Sequence, residues 1–268
     1  MSGGGDAPGR VGVGDSQKEW LAMHHFFAEP AQITEDMVCL TGSDVNHIRN
    51  VLRMDVGERL TVSDGQSSRL YSCRILSVEK DQIWAAIESV SDAEVELPVR
   101  ICLFQGLPKS DKMDWIVQKA VELGAYEIVP VVTKRTVVKL DAKKEKTRCA
   151  RWNAISEGAA KQSGRMIVPQ VKEPVSFAQA LEYAGEMDLK LIPYELAGGM
   201  DKTRALFAGL QPGQSAAVFI GPEGGFEETE VLQAEQAGFA RVTLGKRILR
   251  TETAGLAALA MLGYVLER

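Results

Sequence analysis

The chain has 268 residues, a formal net charge of −5, 45% hydrophobic and 25% charged residues, the balance of an ordinary globular protein with room for one large or two modest domains. No apolar run reaches the roughly 18 residues that a membrane helix needs, and the opening lacks the apolar core of a secretory signal, so a cytoplasmic protein is expected. The acidic total argues against indiscriminate coating of nucleic acid.

Residues 1–19 are Gly-rich and read as a disordered tail, with "GVG" as linker because no strand precedes it. Residues 20–95 read as a small β-rich module of barrel type. Within it, "SDVNHIRNVLRM" carries Val45, Ile48, Val51 and Leu52 at helical spacing behind Ser43 as a cap. "RLTVSDGQSSRLYSCRILSVEKDQIWAAIESV" then alternates apolar and polar residues, with "SDGQSS" and "EKDQ" as hairpin loops. The acidic stretch "SDAEVELP" marks a boundary, and residues 96–268 form the second domain.

After Pro98 the rhythm changes. "VRICLFQG" is a buried strand, and "KSDKMDWIVQKAVELG" a helix stopped by Gly124, with Met113, Ile116, Val117, Ala120 and Val121 as its core stripe. "YEIVPVV", "DLKLIPYE", "AAVFIG" and "ARVTLG" are further strands, with helices between them, one running through "RWNAISEGAAKQSGR". Such alternation implies a parallel sheet covered on both faces. The last helix, "TETAGLAALAMLGYVLER", is apolar around much of its surface, which suits burial on two sides, the second against another subunit.

Cys39, Cys73, Cys102 and Cys149 are scattered and fit free thiols in a reducing compartment. The three His offer no metal-ligand spacing, so no metal is expected. From Lys134 to Arg165, ten basic residues face three acidic ones, a local +7 against −12 for the remainder. A basic band on an acidic body suits a specific polyanion, and equally a solvated helix face.

In an open parallel sheet, ligands settle where loops leave the carboxyl ends of strands. Three such exits stand out: "PYELAGG", "GPEGGF" and "GKRILRTETA". None matches a phosphate-binding loop or dinucleotide fingerprint. In "GPEGGFEETE", Glu223, Glu227, Glu228 and Glu230 would repel a phosphate, and no cation stands nearby in the sequence. Glu227, Glu228 and Glu230 also suit the start of a helix. Glycines there let backbone groups approach a flat ring, and a cationic nucleoside such as S-adenosylmethionine would tolerate the acids.

"FIGPEGGF" followed by "LGKRILRTETA", with "HIRNVLRMDVGE", "LPKSDKMDWIVQKAVELGAYEIVPVVTKRT" and "RWNAISEGAAKQSGR" upstream, closely resembles the RsmE family, ribosomal RNA (uracil-N3)-methyltransferases of the SPOUT class. The resemblance runs from about His24 to the C-terminus. It implies an α/β fold: a SPOUT-type parallel sheet with a C-terminal trefoil knot, plus a small N-terminal PUA-like β-barrel that helps grip RNA. It also implies S-adenosylmethionine as cofactor, 16S rRNA as partner within the small ribosomal subunit, and a homodimer. Carried onto this chain, the cofactor pocket falls on Leu191, Pro193, Gly221, Gly225, Leu244, Ile248 and Leu249, the last two walling the adenine unless they are core.

Methylation at uridine N3 requires an unpaired base and loss of the N3 proton. Arg250 is the first candidate to stabilise charge developing on the uracil oxygens. Glu252 would orient it or take the proton, or else serve as a first-turn acid or ion-pair partner, and Thr253 would hydrogen-bond base or cofactor. No His lies in these exits, so the general base stays unassigned. Arg49 and Arg53, at i, i+4, together with Lys109, Lys112, Lys134, Arg135, Lys161 and Arg165, are the candidate RNA contacts. A SPOUT relative acting on another RNA position, and an RNA-binding relative without catalysis, are the alternatives.

Overall fold

The computed structural model describes residues 23–138, 141–194 and 199–267. The tail at 1–19, Lys139 of the basic band and the middle of the "PYELAGG" exit lie outside the described residues. The chain divides into two compact units, Met1–Glu94 and Val95–Arg268.

The first unit is a five-stranded sheet. Strands β1 (His25–Phe27), β2 (Met37–Thr41), β3 (Arg59–Ser63), β4 (Arg69–Val78) and β5 (Gln82–Asp92) lie in the order β1-β3-β4-β5-β2. The β1–β3 pair is parallel and the others antiparallel. Alternation along β3 and β4 points Leu60, Val62, Cys73 and Ile75 inward onto Phe26, Leu40 and Ile48. The expected hairpin loops fall at 64–68 and 79–81.

The expected helix differs in detail. Helix α1 (Ser43–Asn46) begins at Ser43 itself, with Gly42 at the N-cap, and passes directly into a π-helical turn, His47–Leu52. The wider i→i+5 winding and the left-handed backbone of Arg53, φ 55°, break the i, i+4 pairing expected of Arg49 and Arg53. Arg49 turns back instead, donating to the carbonyls of Glu79 and Lys80 at 3.4 and 3.1 Å. Arg53 is exposed.

In the second unit, strands β6 (Arg100–Gly106), β7 (Glu127–Val132), β8 (Gln170–Val171), β10 (Leu189–Pro193), β11 (Ser215–Ile220) and β12 (Ala240–Val242) lie in the order β12-β10-β11-β6-β7-β8, with β9 (Val175–Ser176) also pairing β7. Every pairing is parallel. Helices α2 (Lys112–Glu122), α3 (Ala142–Ser163), α4 (Phe177–Tyr183), α5 (Met200–Ala208), α6 (Glu228–Gln236) and α7 (Thr251–Leu266) connect or follow the strands. Side chains alternate across β6. Cys102 and Phe104 join an aromatic core in which Phe104 stacks on Phe219 and Phe219 meets Phe239 edge-on, both at 4.5 Å. Leu103 and Gln105 face the other way, toward Gly255 of α7.

After β12, at the sheet's edge, the chain returns past the exits of β10 and β11. It enters α7, which packs on α2, β6 and β11. Because all strands run the same way, their exits share one edge of the sheet.

Arg165, expected at the RNA surface, is buried at 5% exposure. Its guanidinium forms an ion pair with Glu96 and donates to the carbonyls of Val121 and Ala125 at 3.0 and 2.6 Å. Glu96 also accepts the amides of Met166 and Ile167. A guanidinium buried in the protein with every nitrogen bonded to an internal acceptor is turned away from phosphate, so Arg165 is a structural residue. Arg165→Ala, leaving a buried carboxylate unpaired, should cost roughly 3–5 kcal/mol in urea unfolding, while RNA affinity of the folded fraction stays unchanged.

Candidate active site

The exits of β10, β11 and β12 enclose a cavity of about 830 Å³, within the usual range for a small-molecule site. Pro193 and Tyr194 come from the first exit, Gly221 to Phe226 from the second, and Thr243 to Gly245 with Arg247 to Glu252 from the third. Lys112 and Arg135 reach it from the exits of β6 and β7.

The β11 exit is shaped by contact with backbone. The Gly225 N–H donates to the Pro222 carbonyl at 2.8 Å, and Gly225 takes φ 68°, so the chain folds back on itself. A Cβ added to Gly221 would lie 2.9 Å from the Gly225 carbonyl carbon. Only glycine fits that approach, and it leaves peptide groups at the cavity wall.

Beneath the cavity runs a buried polar chain. Gln105 Nε2 donates to Thr251 Oγ1 at 2.9 Å and to the Gly106 carbonyl at 3.0 Å; Thr251 Oγ1 donates to the Gly221 carbonyl at 2.6 Å. Neither residue was among the expected site residues. A clue was present in "VRICLFQG", where one polar residue stands in an apolar strand and so requires an internal partner.

The carboxylates of the Gly corner are engaged by protein groups. Glu223 accepts the Lys109 amide at 3.1 Å and pairs with the Lys112 ammonium at 3.0 Å. Burial works to raise the Glu223 carboxyl, but hydrogen bonds from backbone amides and from Lys112 outweigh it and hold the group below the ordinary carboxylate range. The same contact with Glu223, supported by Glu252, raises the Lys112 ammonium. Glu230, buried, accepts the amides of Lys134 and Glu227, both at 2.9 Å, while Glu228 and Glu230 occupy the first turn of α6. Cations do approach this loop, contrary to the sequence reading. Arg135 donates to the Gly224 carbonyl, and Lys134 reaches Thr229 and Glu227.

The RNA methyltransferase domain family matches residues 95–263, and the RNA methyltransferase PUA domain family matches residues 40–88. The ribosomal RNA small subunit methyltransferase E of Bacillus subtilis is 38% identical over 231 residues, 85% of this chain and 90% of its own length. The chain belongs to the ribosomal RNA small subunit methyltransferase E family.

A family member from Neisseria gonorrhoeae, solved bound to S-adenosyl methionine, superposes with a TM-score of 0.76 at 36% identity, covering 89% of this chain and 96% of its own. A Legionella pneumophila structure with bound cofactor SAM gives 0.77 at 32%, covering 90% and 96%.

Of the residues that the family resemblance suggested, Pro193, Gly221, Gly225, Leu244, Ile248, Leu249, Arg250 and Glu252 line the cavity. Ile248, at 80% exposure, is not core. Leu191 does not line it: the side chain is buried inside β10. Thr253 is exposed and absent from the lining, because one turn of α7 carries Thr251 inward and Thr253 outward. Lys109 and Lys161 sit away from the lining, Lys161 paired with Glu157. Gly221→Ala should weaken S-adenosylmethionine binding at least tenfold in calorimetry, the added methyl forcing the turn open.

Proposed function

We propose that this chain is an enzyme that methylates 16S rRNA of the small ribosomal subunit at N3 of a uridine, with S-adenosylmethionine as cofactor. The observation that carries the reading is the cavity itself: three strand exits of a methyltransferase E family member meet around a glycine-shaped, backbone-lined wall. The residues present fit the cofactor. Its volume suits the cavity, Gly221, Gly225 and Leu244 offer peptide groups to an adenosine, and Ile248 and Leu249 offer apolar surface to the ring.

When bound, the cofactor supplies a methyl group on a sulfonium centre. The protein's own tasks are to hold an unpaired uracil beside it and to manage charge. Arg250 is the N-cap residue of α7, and its carbonyl accepts the amides of Thr253 and Ala254 at 2.9 and 2.8 Å. That anchoring fixes its backbone while the residue, exposed and lining the cavity, is suited to bring its guanidinium to negative charge on uracil O2 or O4. Glu252, one turn residue inward, is the candidate proton acceptor. Exposed cations supply phosphate contacts: Arg53 in the first unit, and Lys109 and the basic face of α3 in the second, with the half-buried, Glu157-paired Lys161 at the end of that helix.

A homodimer and a cytoplasmic location belong to the same reading. Tyr264 of α7 is 85% exposed, and Leu256, Met261 and Val265 are only half-buried, so a second subunit has apolar surface to cover. No helix of the described residues is long and apolar enough to cross a membrane. Sedimentation equilibrium should return twice the chain mass; a monomer at micromolar concentration would refute the dimer.

Arg250→Ala should abolish 3-methyluridine formation, read by mass spectrometry of 16S rRNA from a complemented deletion strain, without changing the protein's sedimentation or melting. Normal modification by that variant would remove Arg250 from the chemistry.

A further inference from the structure

Lys112 was expected on the RNA surface, yet its ammonium lies between two carboxylates from different strand exits. It is 3.0 Å from Glu223 Oε1 in the β11 exit and 3.3 Å from Glu252 Oε2 in the first turn of α7. Lys112 itself opens α2, just after β6. One charged nitrogen thus joins three segments around the cavity, and its side chain is only about one-third exposed.

The two carboxylates are not equivalent. Glu223 accepts the Lys109 amide with both oxygens, at 3.1 and 3.3 Å, in addition to Lys112. Glu252 Oε2 is buried, within ion-pair range of Lys112 but off the hydrogen-bonding axis, and has no hydrogen-bond partner among the described residues. A buried carboxylate oxygen with an open acceptor site is costly unless a donor arrives. One ammonium against two carboxylates also leaves the cluster one negative charge in surplus. Glu223 has two protein donors and Glu252 Oε2 has none among the described residues, so the less compensated charge is that of Glu252, beside the cavity that it lines.

We propose that Lys112 is a positioning residue for methyl transfer: it clasps Glu223 to Glu252 and presents the Glu252 carboxylate as acceptor of the uracil N3 proton. The proposal rests on the methyltransferase reading above. The N3–H bond breaks with its electron pair left on nitrogen, that pair forms the new N–CH3 bond, the proton passes to Glu252, and the C–S pair departs with the donor's sulfur. Arg250, lining the same cavity, meets charge on the uracil oxygens while Glu252 meets the proton, so the base is held from two sides.

The test compares the unaltered protein with Lys112→Met, Lys112→Arg, Glu252→Gln and the Lys112→Met/Glu252→Gln double variant, on small ribosomal subunits lacking the modification. Lys112→Met should lower kcat about tenfold to a hundredfold, with KM for RNA within about twofold. Lys112→Arg should recover most of the loss, and the double variant should be no slower than Glu252→Gln alone. RNA binding by cofactor-free protein, followed by fluorescence anisotropy against salt, should keep its slope in Lys112→Met. A slope reduced by about one phosphate with kcat unchanged would overturn the proposal and make Lys112 an RNA contact. Should Lys112→Met fail to bind S-adenosylmethionine in calorimetry, Glu252→Gln decides, and full kcat in that variant overturns the proposal. An unaltered chain that binds the cofactor but leaves the RNA unmodified refutes the methyltransferase function, a result distinct from any pattern among the variants.

Discussion

The hydrogen-bond chain from Gln105 through Thr251 to the Gly221 carbonyl is the constraint on which the site depends. Gln105 and Thr251 are buried, and parting the bond between them would leave a buried donor or acceptor unmet, at about 1–3 kcal/mol. The three residues come from a central strand, from the loop beyond its neighbour and from the last helix. Their bonding therefore sets where the β11 exit stands relative to α7. The Lys112 contacts to Glu223 and Glu252 repeat the same junction at the cavity's rim, in charged rather than neutral groups.

This arrangement changes the meaning of the acidic Gly corner. Four glutamates within eight residues look like a field prepared for a cation. In the folded chain, Glu223 answers Lys109 and Lys112, Glu227 pairs with Lys134, and Glu230 holds two backbone amides at the start of α6. Most of the acids serve the loop's own geometry. What the corner offers a ligand is peptide backbone at close range, because Gly221 and Gly225 fold upon each other without side chains between them. The basic residues of the "VVTKRT" stretch are drawn the same way: Lys134 and Arg135 brace the β11 exit from the β7 side.

Much of the architecture is legible in local pattern. Continuous apolar runs such as "AAVFI" and "EIVPVV" announce strands buried on both faces, and the spacing of Met113, Ile116, Val117, Ala120 and Val121 announces the face that α2 buries. Resemblance to a family carries most of the cavity lining, since its motifs are contiguous stretches at strand exits. Errors arise where a side chain's direction matters. Leu191 and Thr253 sit beside true lining residues but point away, and Arg165 follows a basic helix yet turns inward to Glu96. Arg49 and Arg53 part company because a π-turn winds more widely than the α-helix their spacing presumed.

The order of residues by itself determined the element types, the change of rhythm near residue 95, the glycine corner and the family, because these depend on near neighbours and on contiguous motifs. Only the tertiary structure decided that β11 lies between β10 and β6, that Gln105 meets Thr251, and that Lys112 stands between two carboxylates. Those partners are far apart along the chain, and a charge or amide in a sequence carries no record of which distant group will satisfy it. Parallel strands bring their exits to one edge, and it is that gathering, not any single stretch, that turns scattered polar residues into a site.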